Sequence, residues 1–171
     1  YDSAGRLIRI EAGGVLLVSY GYDGLGRMAQ RMLKNGVVSA FSYDSLGQLV
    51  EVSHSKGPAP AFARYRYTYD ELGNRTSMTN VAGVVTSYGY DGLGQLTAVA
   101  KNGTPSESYQ YDPAGNRMLS TDASGTISYL TNELNQYSQA GSAQFEYDAN
   151  GNLTRRVGPE GTTTYSYDFD N

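Results

Sequence analysis

The sequence predicts an all-β fold, in which tandem β-hairpins form a long, curved antiparallel sheet. A Tyr-Asp-x-x-Gly motif recurs along the 171 residues, a second aromatic residue stands two positions before it, and glycine-rich turn signals separate the copies. Aromatic side chains two residues apart lie on one face of an extended strand. A helical fold is excluded because glycine recurs too often and no segment has apolar residues at helical spacing over a helical length.

The motif sets the period of the chain. Copies start near residues 1, 22, 43, 69, 90 and 111, at a degenerate copy at 131, at 147 and at a partial copy at 167, so the steps are 21, 21, 26, 21, 21, 20, 16 and 20 residues. The long third step contains Lys56-Gly57-Pro58-Ala59-Pro60, which predicts a loop insertion around residues 56–62. No composition shift marks a boundary, so residues 1–171 are predicted to be a single array of about eight repeats.

The predicted structural motif residues are the tyrosine, aspartate and glycine of each copy. They are Tyr1, Asp2, Gly5, Tyr22, Asp23, Gly26, Tyr43, Asp44, Gly47, Tyr69, Asp70, Gly73, Tyr90, Asp91, Gly94, Tyr111, Asp112, Gly115, Tyr147, Asp148, Gly151, Tyr167 and Asp168. The array begins on a motif tyrosine and ends inside another motif, so we expect a fragment of a longer array.

Asp-x-x-Gly predicts a turn. Aspartate at the first position can accept hydrogen bonds from the backbone N–H groups ahead of it, and glycine at the fourth tolerates the positive φ that follows a type I turn. Pro113 stands at the second position, where its fixed φ is favoured. A second strand follows, as in residues 95–99, and then a second turn such as Asn35-Gly36 or Asn102-Gly103. The chain should therefore form roughly 16 antiparallel strands of about 6–8 residues.

A flat sheet of that size is disfavoured, because large twisted sheets curl or split. Both faces are also partly apolar, with Ile8 and Ile10 on one face and Leu7 on the other. We therefore expect the hairpins to coil into a curved wall or spiral, each contacting its neighbours. The sequence leaves open which face is concave.

Composition excludes several classes of function. The net charge is −4, with 13 Lys and Arg against 17 Asp and Glu, which argues against nucleic acid or an anionic membrane surface as partner. The absence of cysteine excludes disulfides, thiolate metal ligands and thiol nucleophiles. No apolar run approaches the roughly 18–20 residues of a membrane span, and the first five residues lack the features of a signal peptide.

Repetition itself indicates what the motif residues do. A catalytic residue is needed once, whereas a residue present in every repeat is most simply needed by the repeat's fold. The aspartates are therefore predicted to form turns and the tyrosines to pack across strands. The alternative for the tyrosines is a surface that binds sugar rings or a partly unfolded polypeptide.

No catalytic, metal-binding or cofactor-binding residue is predicted. His54 is the only histidine and adjoins the insertion, so we expect a solvent-exposed loop residue with no metal site and no nucleophile to activate. Every glycine falls in a turn of the repeat, so there is no phosphate-binding loop, and the Gly-Gly-x-Gly-x-Asp pattern of calcium-binding β-rolls is missing.

The motif cores, from residues 1–7 through 147–153, resemble the YD repeats of bacterial Rhs (rearrangement hotspot) proteins, of the C component of insecticidal Tc toxins and of animal teneurins. The resemblance covers essentially the whole chain. Residues 70–76 and 132–137 are most similar to bacterial Rhs arrays, and the absence of cysteine and tryptophan disfavours a teneurin origin.

The resemblance implies that the repeats form part of a spiralling β-shell. In those families a region downstream of the repeats plugs the shell and cleaves the chain by aspartyl autoproteolysis. Residues 112–115, Asp-Pro-Ala-Gly, superficially resemble its Asp-Pro motifs, but they lie inside an ordinary repeat and have no second copy nearby. Asp112 is therefore not expected to be catalytic.

The function that the resemblance implies is that of a non-catalytic structural segment of an Rhs-type β-shell, which encapsulates a C-terminal toxin or effector domain. The expected partners are the rest of its own shell and the enclosed toxin domain, in a secreted or cell-surface bacterial protein, with no nucleic acid, cofactor or membrane span. The alternative is a surface-exposed repeat module that binds carbohydrate or a receptor.

Overall fold

The computed structural model of the protein describes residues 1–168, which form strands, turns and bends and no helix. The all-β prediction is confirmed. The strands are β1 (Arg9–Ala12), β2 (Val15–Tyr22), β3 (Met28–Leu33), β4 (Val37–Tyr43), β5 (Leu49–Lys56), β6 (Ala63–Tyr69), β7 (Arg75–Asn80), β8 (Val85–Tyr90), β9 (Leu96–Lys101), β10 (Thr104–Tyr111), β11 (Arg117–Asp122), β12 (Gly125–Thr131), β13 (Tyr137–Ala140), β14 (Ala143–Tyr147), β15 (Leu153–Gly158) and β16 (Gly161–Thr164).

These strands belong to two compact units. The first holds Tyr1–Tyr88 and Lys101–Gly103, and the second holds Gly89–Ala100 and the residues from Thr104 onward. Within each unit the strands are ordered as in the chain, and the pairs are antiparallel. The predicted hairpin topology is therefore confirmed.

Two expectations about local structure are wrong. Gly21 and Gly89 lie inside β2 and β8 and not in turns, and some strands are shorter than the sequence predicts. β1, β13 and β16 have four residues each and β14 has five. Between β5 and β6 lies a loop of residues 57–62, where the long third step of the repeat places an insertion.

A β-bulge interrupts the ladder at the motif position of each motif-bearing pair described. The register shifts between Gly21 and Tyr22, between Ser42 and Tyr43, and between Thr68 and Tyr69 in the first unit. The second unit repeats this at positions 110/111, 130/131 and 146/147. A bulge leaves two residues opposite one and increases the local twist, so each motif tyrosine faces two residues of the following strand.

Side chains are only partly buried in both units. Val99 and Ala143 are the buried apolar residues of the described chain, and Ser39 and Thr86 are its buried polar residues. Stability therefore depends on cross-strand neighbours and hydrogen bonds more than on an enclosed core. No helix among the described residues is long and apolar enough to cross a membrane.

Candidate functional site: the Tyr-Asp turns

The Asp-x-x-Gly segments are hydrogen-bonded turns, as the copy at Asp23 illustrates. The Gly26 N–H donates to the Asp23 carbonyl at 3.0 Å, and the Asp23 N–H donates to the Arg27 carbonyl at 2.9 Å. The Leu25 and Arg27 N–H groups both donate to Asp23 Oδ1 at 2.9 Å. Gly26 has φ +80°, the left-handed conformation that glycine adopts without a Cβ penalty.

The other copies share this geometry. Oδ1 accepts from the backbone N–H groups two and four residues ahead in Asp2, Asp44, Asp70, Asp91, Asp112 and Asp148. In the degenerate copy, Asn132 Oδ1 accepts the same two bonds, and Asn135 takes the glycine position with φ +58°. The side-chain oxygen is therefore common to every copy, whereas the negative charge is not.

The second carboxylate oxygen binds the side chain that follows the motif glycine. Arg6 and Arg27 pair with Asp2 and Asp23 at 2.8 and 2.7 Å. An amide takes this place in the copies with Asn74, Gln95, Asn116 and Asn152. Both oxygens of these aspartates are thus engaged within their own turns.

Hydrogen bonds of this kind lower the pKa of six turn aspartates, which are Asp2, Asp23, Asp70, Asp91, Asp112 and Asp148. The Arg27 backbone N–H is the main cause for Asp23, and the side-chain amides of Asn74 and Asn116 are the main cause for Asp70 and Asp112. A general acid working near neutral pH needs a raised pKa. The environment of Asp112 therefore shifts its pKa in the direction opposite to acid catalysis.

The motif tyrosines connect successive repeats. Six of their hydroxyls donate to a backbone carbonyl of the preceding repeat: Tyr22 to Leu7 at 2.8 Å, Tyr43 to Met28 at 2.9 Å, Tyr69 to Leu49 at 2.7 Å, Tyr111 to Leu96 at 2.9 Å, Tyr147 to Tyr137 at 2.9 Å and Tyr167 to Leu153 at 3.0 Å. In these pairs the acceptor is the carbonyl six residues after the preceding motif position. The sequence predicts packing of the tyrosine rings but not this hydroxyl contact.

A signal for the contact was present in the sequence. The aromatic residue two positions before the motif is phenylalanine in two copies, Phe41 and Phe145, whereas all intact motifs carry tyrosine. A position that never loses its hydroxyl is one where the hydroxyl has a partner. The tyrosine rings also contact arginine side chains and not only other aromatic rings. The Arg6 guanidinium lies over the Tyr22 ring, 4.7 Å from its centroid, and the Arg27 guanidinium lies over the Tyr43 ring at 4.5 Å.

Side chains of one turn also reach the next turn. The Arg27 guanidinium donates to the Asp44 carbonyl at 3.3 Å, and the Gln136 amide donates to the Gly151 carbonyl at 3.3 Å. A Cβ added at Gly151 would lie 3.1 Å from the Gln136 amide nitrogen. At Gly151 the positive φ of 87° and this close approach both disfavour a side chain.

Asn80 forms a further turn of the same kind, which the motif does not predict. Its side-chain oxygen accepts from the Ala82 and Val84 N–H groups at 3.0 Å each, and the Asn-x-x-Gly spacing of residues 80–83 is its signal in the sequence.

Leucines at the third turn position are highly exposed, which the sequence pattern also does not predict. They are Leu25, Leu46, Leu72, Leu93 and Leu134, 74–81% exposed.

The prediction for His54 is wrong. The residue lies in β5 and is half-buried, because pairing with β4 continues through Lys56. Its Nδ1 lies 2.9 Å from the hydroxyl oxygen of Ser39, which is 1% exposed. A serine hydroxyl thus stands within hydrogen-bond reach of the imidazole, but its burial denies access to a substrate.

The described residues hold no group of three or more His, Cys, Asp or Glu side chains placed to bind a metal ion. The second unit has two shallow depressions, of about 370 and about 310 Å³. Glu107 and Asp122 line the first, and Asp148, Tyr165 and Tyr167 are among the residues that line the second. Glu107 accepts a short hydrogen bond from the Tyr109 hydroxyl, and that bond is the main cause of the raised pKa of Tyr109.

The strand and turn pattern matches known families. The model described as Teneurin YD-shell matches residues 74–171, more than half of the chain, and the model described as RHS Repeat matches residues 1–34. The chain belongs to the YD-shell family. A comparison with curated proteins finds no match.

Solved structures show the same fold. The crystal structure of TcdB2-TccC3-Cdc42 is similar with a TM-score of 0.71 and 18% identity over 86% of this chain and 9% of that one. The crystal structure of TcdB2-TccC3 is similar with a TM-score of 0.69 and 18% identity, over 92% of this chain and 11% of that one. A structure of a Photorhabdus luminescens Tc holotoxin pore is similar with a TM-score of 0.65 and 16% identity, over 84% of this chain and 10% of that one. This YD-shell chain thus spans about a tenth of the chains it resembles.

Proposed function

We propose that this YD-shell chain is a non-catalytic structural segment of a β-shell that encloses a C-terminal toxin or effector domain of the same protein. The observation that carries the proposal is the hydroxyl-to-carbonyl contact between successive repeats, made by six motif tyrosines. Within each unit these contacts join neighbouring repeats, as the wall of a repeat protein requires. Within the turns, hydrogen bonds occupy both carboxylate oxygens of the aspartates that bind the following side chain, as Asp23 shows, which supports a structural role for these carboxylates.

Membership of the YD-shell family and likeness to Tc toxin structures support this role. The similar chains are roughly ten times longer, which supports the view that about eight repeats here belong to a longer array. By the same reasoning, we infer that the partners are the rest of the shell and the enclosed domain, in a secreted or cell-surface bacterial protein.

Protease protection of the segment downstream of the array, in the full-length protein, tests the proposal. We expect that segment to resist digestion at neutral pH and to be cut once denaturant unfolds the repeats. Asp91→Ala, which removes the acceptor of two turn N–H groups, should lower the denaturant concentration at which protection is lost. Asp91→Asn keeps an acceptor oxygen and is the matched control.

Prompt digestion of the downstream segment while the repeats stay folded would refute enclosure. The tyrosine side chains of the repeats would then be tested for carbohydrate binding by titrating tyrosine fluorescence with glycans. A turnover activity recovered from residues 1–171 would refute the non-catalytic role.

A further inference from the structure

Exposed leucines recur at one position of the motif turns in the first unit. Leu25, Leu46 and Leu72 are 78%, 81% and 81% exposed, and together we name them the leucine row. The turn itself does not need a leucine there, because Ala114 and Asn150 hold the same position in intact copies of the motif. A repeated apolar side chain that the turn does not need indicates a surface that another part of the protein covers.

The leucine row lies at one end of the strands. In the first unit the motif turns connect β2 to β3, β4 to β5 and β6 to β7, and the second turns connect β3 to β4, β5 to β6 and β7 to β8. Because neighbouring strands are antiparallel, successive turns alternate between the two ends of the strands. Successive leucines are therefore about 10 Å apart, which is twice the spacing of neighbouring strands.

All three lysines of the chain lie at the opposite end of the strands of this unit, and we name them the lysine row. Lys34 follows β3, Lys56 ends β5 and Lys101 ends β9. Lys101 belongs to the first unit, and the N–H of the next residue, Asn102, donates to the Val85 carbonyl at 2.8 Å. The three side chains are exposed, and none of the ion pairs in the described part of the chain includes a lysine.

The two rows are complementary in charge. The motif turns of residues 44–48 and 70–74 contain three carboxylates and no basic side chain, and the exposed Glu71 stands next to Leu72. The second turns that bear the lysine row contain no acidic residue. A lysine can place its hydrocarbon stem on a leucine while its ammonium group meets a neighbouring carboxylate. A lysine row therefore fits a leucine row flanked by carboxylates.

The two rows of this unit do not meet each other. They are separated by the length of a strand, which is roughly 23 Å for the seven residues of β4. Both rows advance by two strands from one hairpin to the next, so a second stretch of repeats laid alongside would present its second turns in matching steps of about 10 Å. The similar YD-shell chains are roughly ten times longer than this one, which supplies such stretches.

We propose that the leucine row packs against the second turns of another stretch of the same YD array in the full-length protein. On the other side of the unit, the lysine row packs against the motif turns of a further stretch. The inference rests on the proposed function, because it takes this chain to be part of a longer array. It names the surfaces through which neighbouring stretches of the wall are joined.

Carbodiimide cross-linking of the full-length protein tests the proposal, because this reagent joins an amine directly to a carboxylate in contact with it. We expect Lys34, Lys56 and Lys101 to be linked to carboxylates of motif turns outside the first unit, within one molecule. A mixture of isotopically labelled and unlabelled protein separates these links from links between molecules. Links confined to the lysines' own hairpins, or found only between molecules, would overturn the proposal.

A substitution in the leucine row gives a second test. Leu46→Asn should lower the urea midpoint of the full-length protein, although asparagine fits this turn position, as Asn150 shows. Ala114→Asn makes the same change in a turn without a leucine and is the matched control, which should change the midpoint little. A midpoint of Leu46→Asn equal to that of the parent protein would overturn the proposal, since it would show that nothing covers this leucine.

Protease protection of the downstream segment, measured on the same protein, separates this inference from the proposed function. Protection without the expected cross-links would refute the packing of the rows and leave enclosure standing. The expected cross-links together with prompt digestion would support the packing of the rows and refute enclosure.

Discussion

At the scale of single residues, the two carboxylate oxygens of a turn aspartate such as Asp23 make different contacts. Oδ1 closes the turn by accepting two backbone N–H groups, and Oδ2 orients the side chain that follows the motif glycine. The first task needs only an acceptor, since Asn132 and Asn80 perform it without a charge. Charge at the motif position is therefore secondary to geometry.

Asp91 offers the clearest test of this division. Asp91→Ala leaves the Leu93 and Gln95 N–H groups without their acceptor and frees the Gln95 side chain, so the unfolding equilibrium should shift severalfold toward the unfolded state. Asp91→Asn should shift it much less. Urea unfolding at neutral pH measures both, and equal losses in the two variants would contradict the geometric role.

The hydroxyl of Tyr43 is expected to contribute through its bond to Met28. Tyr43→Phe removes a part-buried 2.9 Å hydrogen bond between repeats and should cost about 0.5–1.5 kcal/mol of unfolding free energy. Tyr20→Phe is the matched control, because that position holds phenylalanine in Phe41 and Phe145. A control that lost as much stability as Tyr43→Phe would show that the inter-repeat bond has no special weight.

At the scale of elements, each turn and its β-bulge lie directly before the following strand and contact the preceding repeat. The tyrosine at the bulge reaches back to the preceding repeat, while the glycine leaves room for the side chain of the preceding turn. The bulge increases the local twist of the strands. The turn sequence thus sets how one hairpin is offset from the next.

Two glycines of one turn differ in backbone φ and in the space that an added Cβ would find. Gly26 has φ +80°, and a Cβ there would lie 3.4 Å from an Arg6 guanidinium nitrogen, so Gly26→Ala should cost about 1–2 kcal/mol. A Cβ at Gly24 would meet no atom within 4 Å, and Gly24 lacks the left-handed φ, so Gly24→Ala should be nearly neutral. Thermal and urea unfolding of both variants measure the difference, and two equal losses would contradict the turn assignment.

The period of the sequence was enough to predict the hairpins, since alternation and turn residues act locally. The bulges were not predictable in this way, because a register shift depends on pairing with the neighbouring strand; it occurs at Tyr22 and also at Thr131, where the tyrosine is replaced. The insertion that contains Pro58 and Pro60 predicts a loop at His54, but pairing with Ser39 continues the strand past it. The Asn80 turn has the spacing of the motif but asparagine in place of aspartate, so the Tyr-Asp-x-x-Gly pattern does not include it.

At the scale of the whole molecule, many small contacts replace an enclosed core. Few side chains are buried in either unit, so the folded state depends on the sum of repeated hydrogen bonds at the turns. Repetition has a consequence for pH. Any condition that weakens one turn carboxylate weakens all of them together, and the loss accumulates along the chain.

Stability should therefore fall steeply in acid. The pKa values of Asp2, Asp23, Asp70, Asp91, Asp112 and Asp148 lie below their ordinary value of 3.8 in the folded protein. The unfolded chain then binds more protons, so the stabilisation is complete above the ordinary value and is lost as pH falls through it toward the lowered values.

The urea midpoint measures this loss, and we expect it to stay nearly constant from about pH 7 to about pH 5 and then to drop with decreasing pH. Asp91→Asn removes one of the titrating carboxylates but keeps its turn, so its midpoint should fall less steeply below about pH 5 than that of the parent protein. A midpoint that did not change down to about pH 3 would mean that the turn carboxylates bind their N–H partners no better than in the unfolded chain.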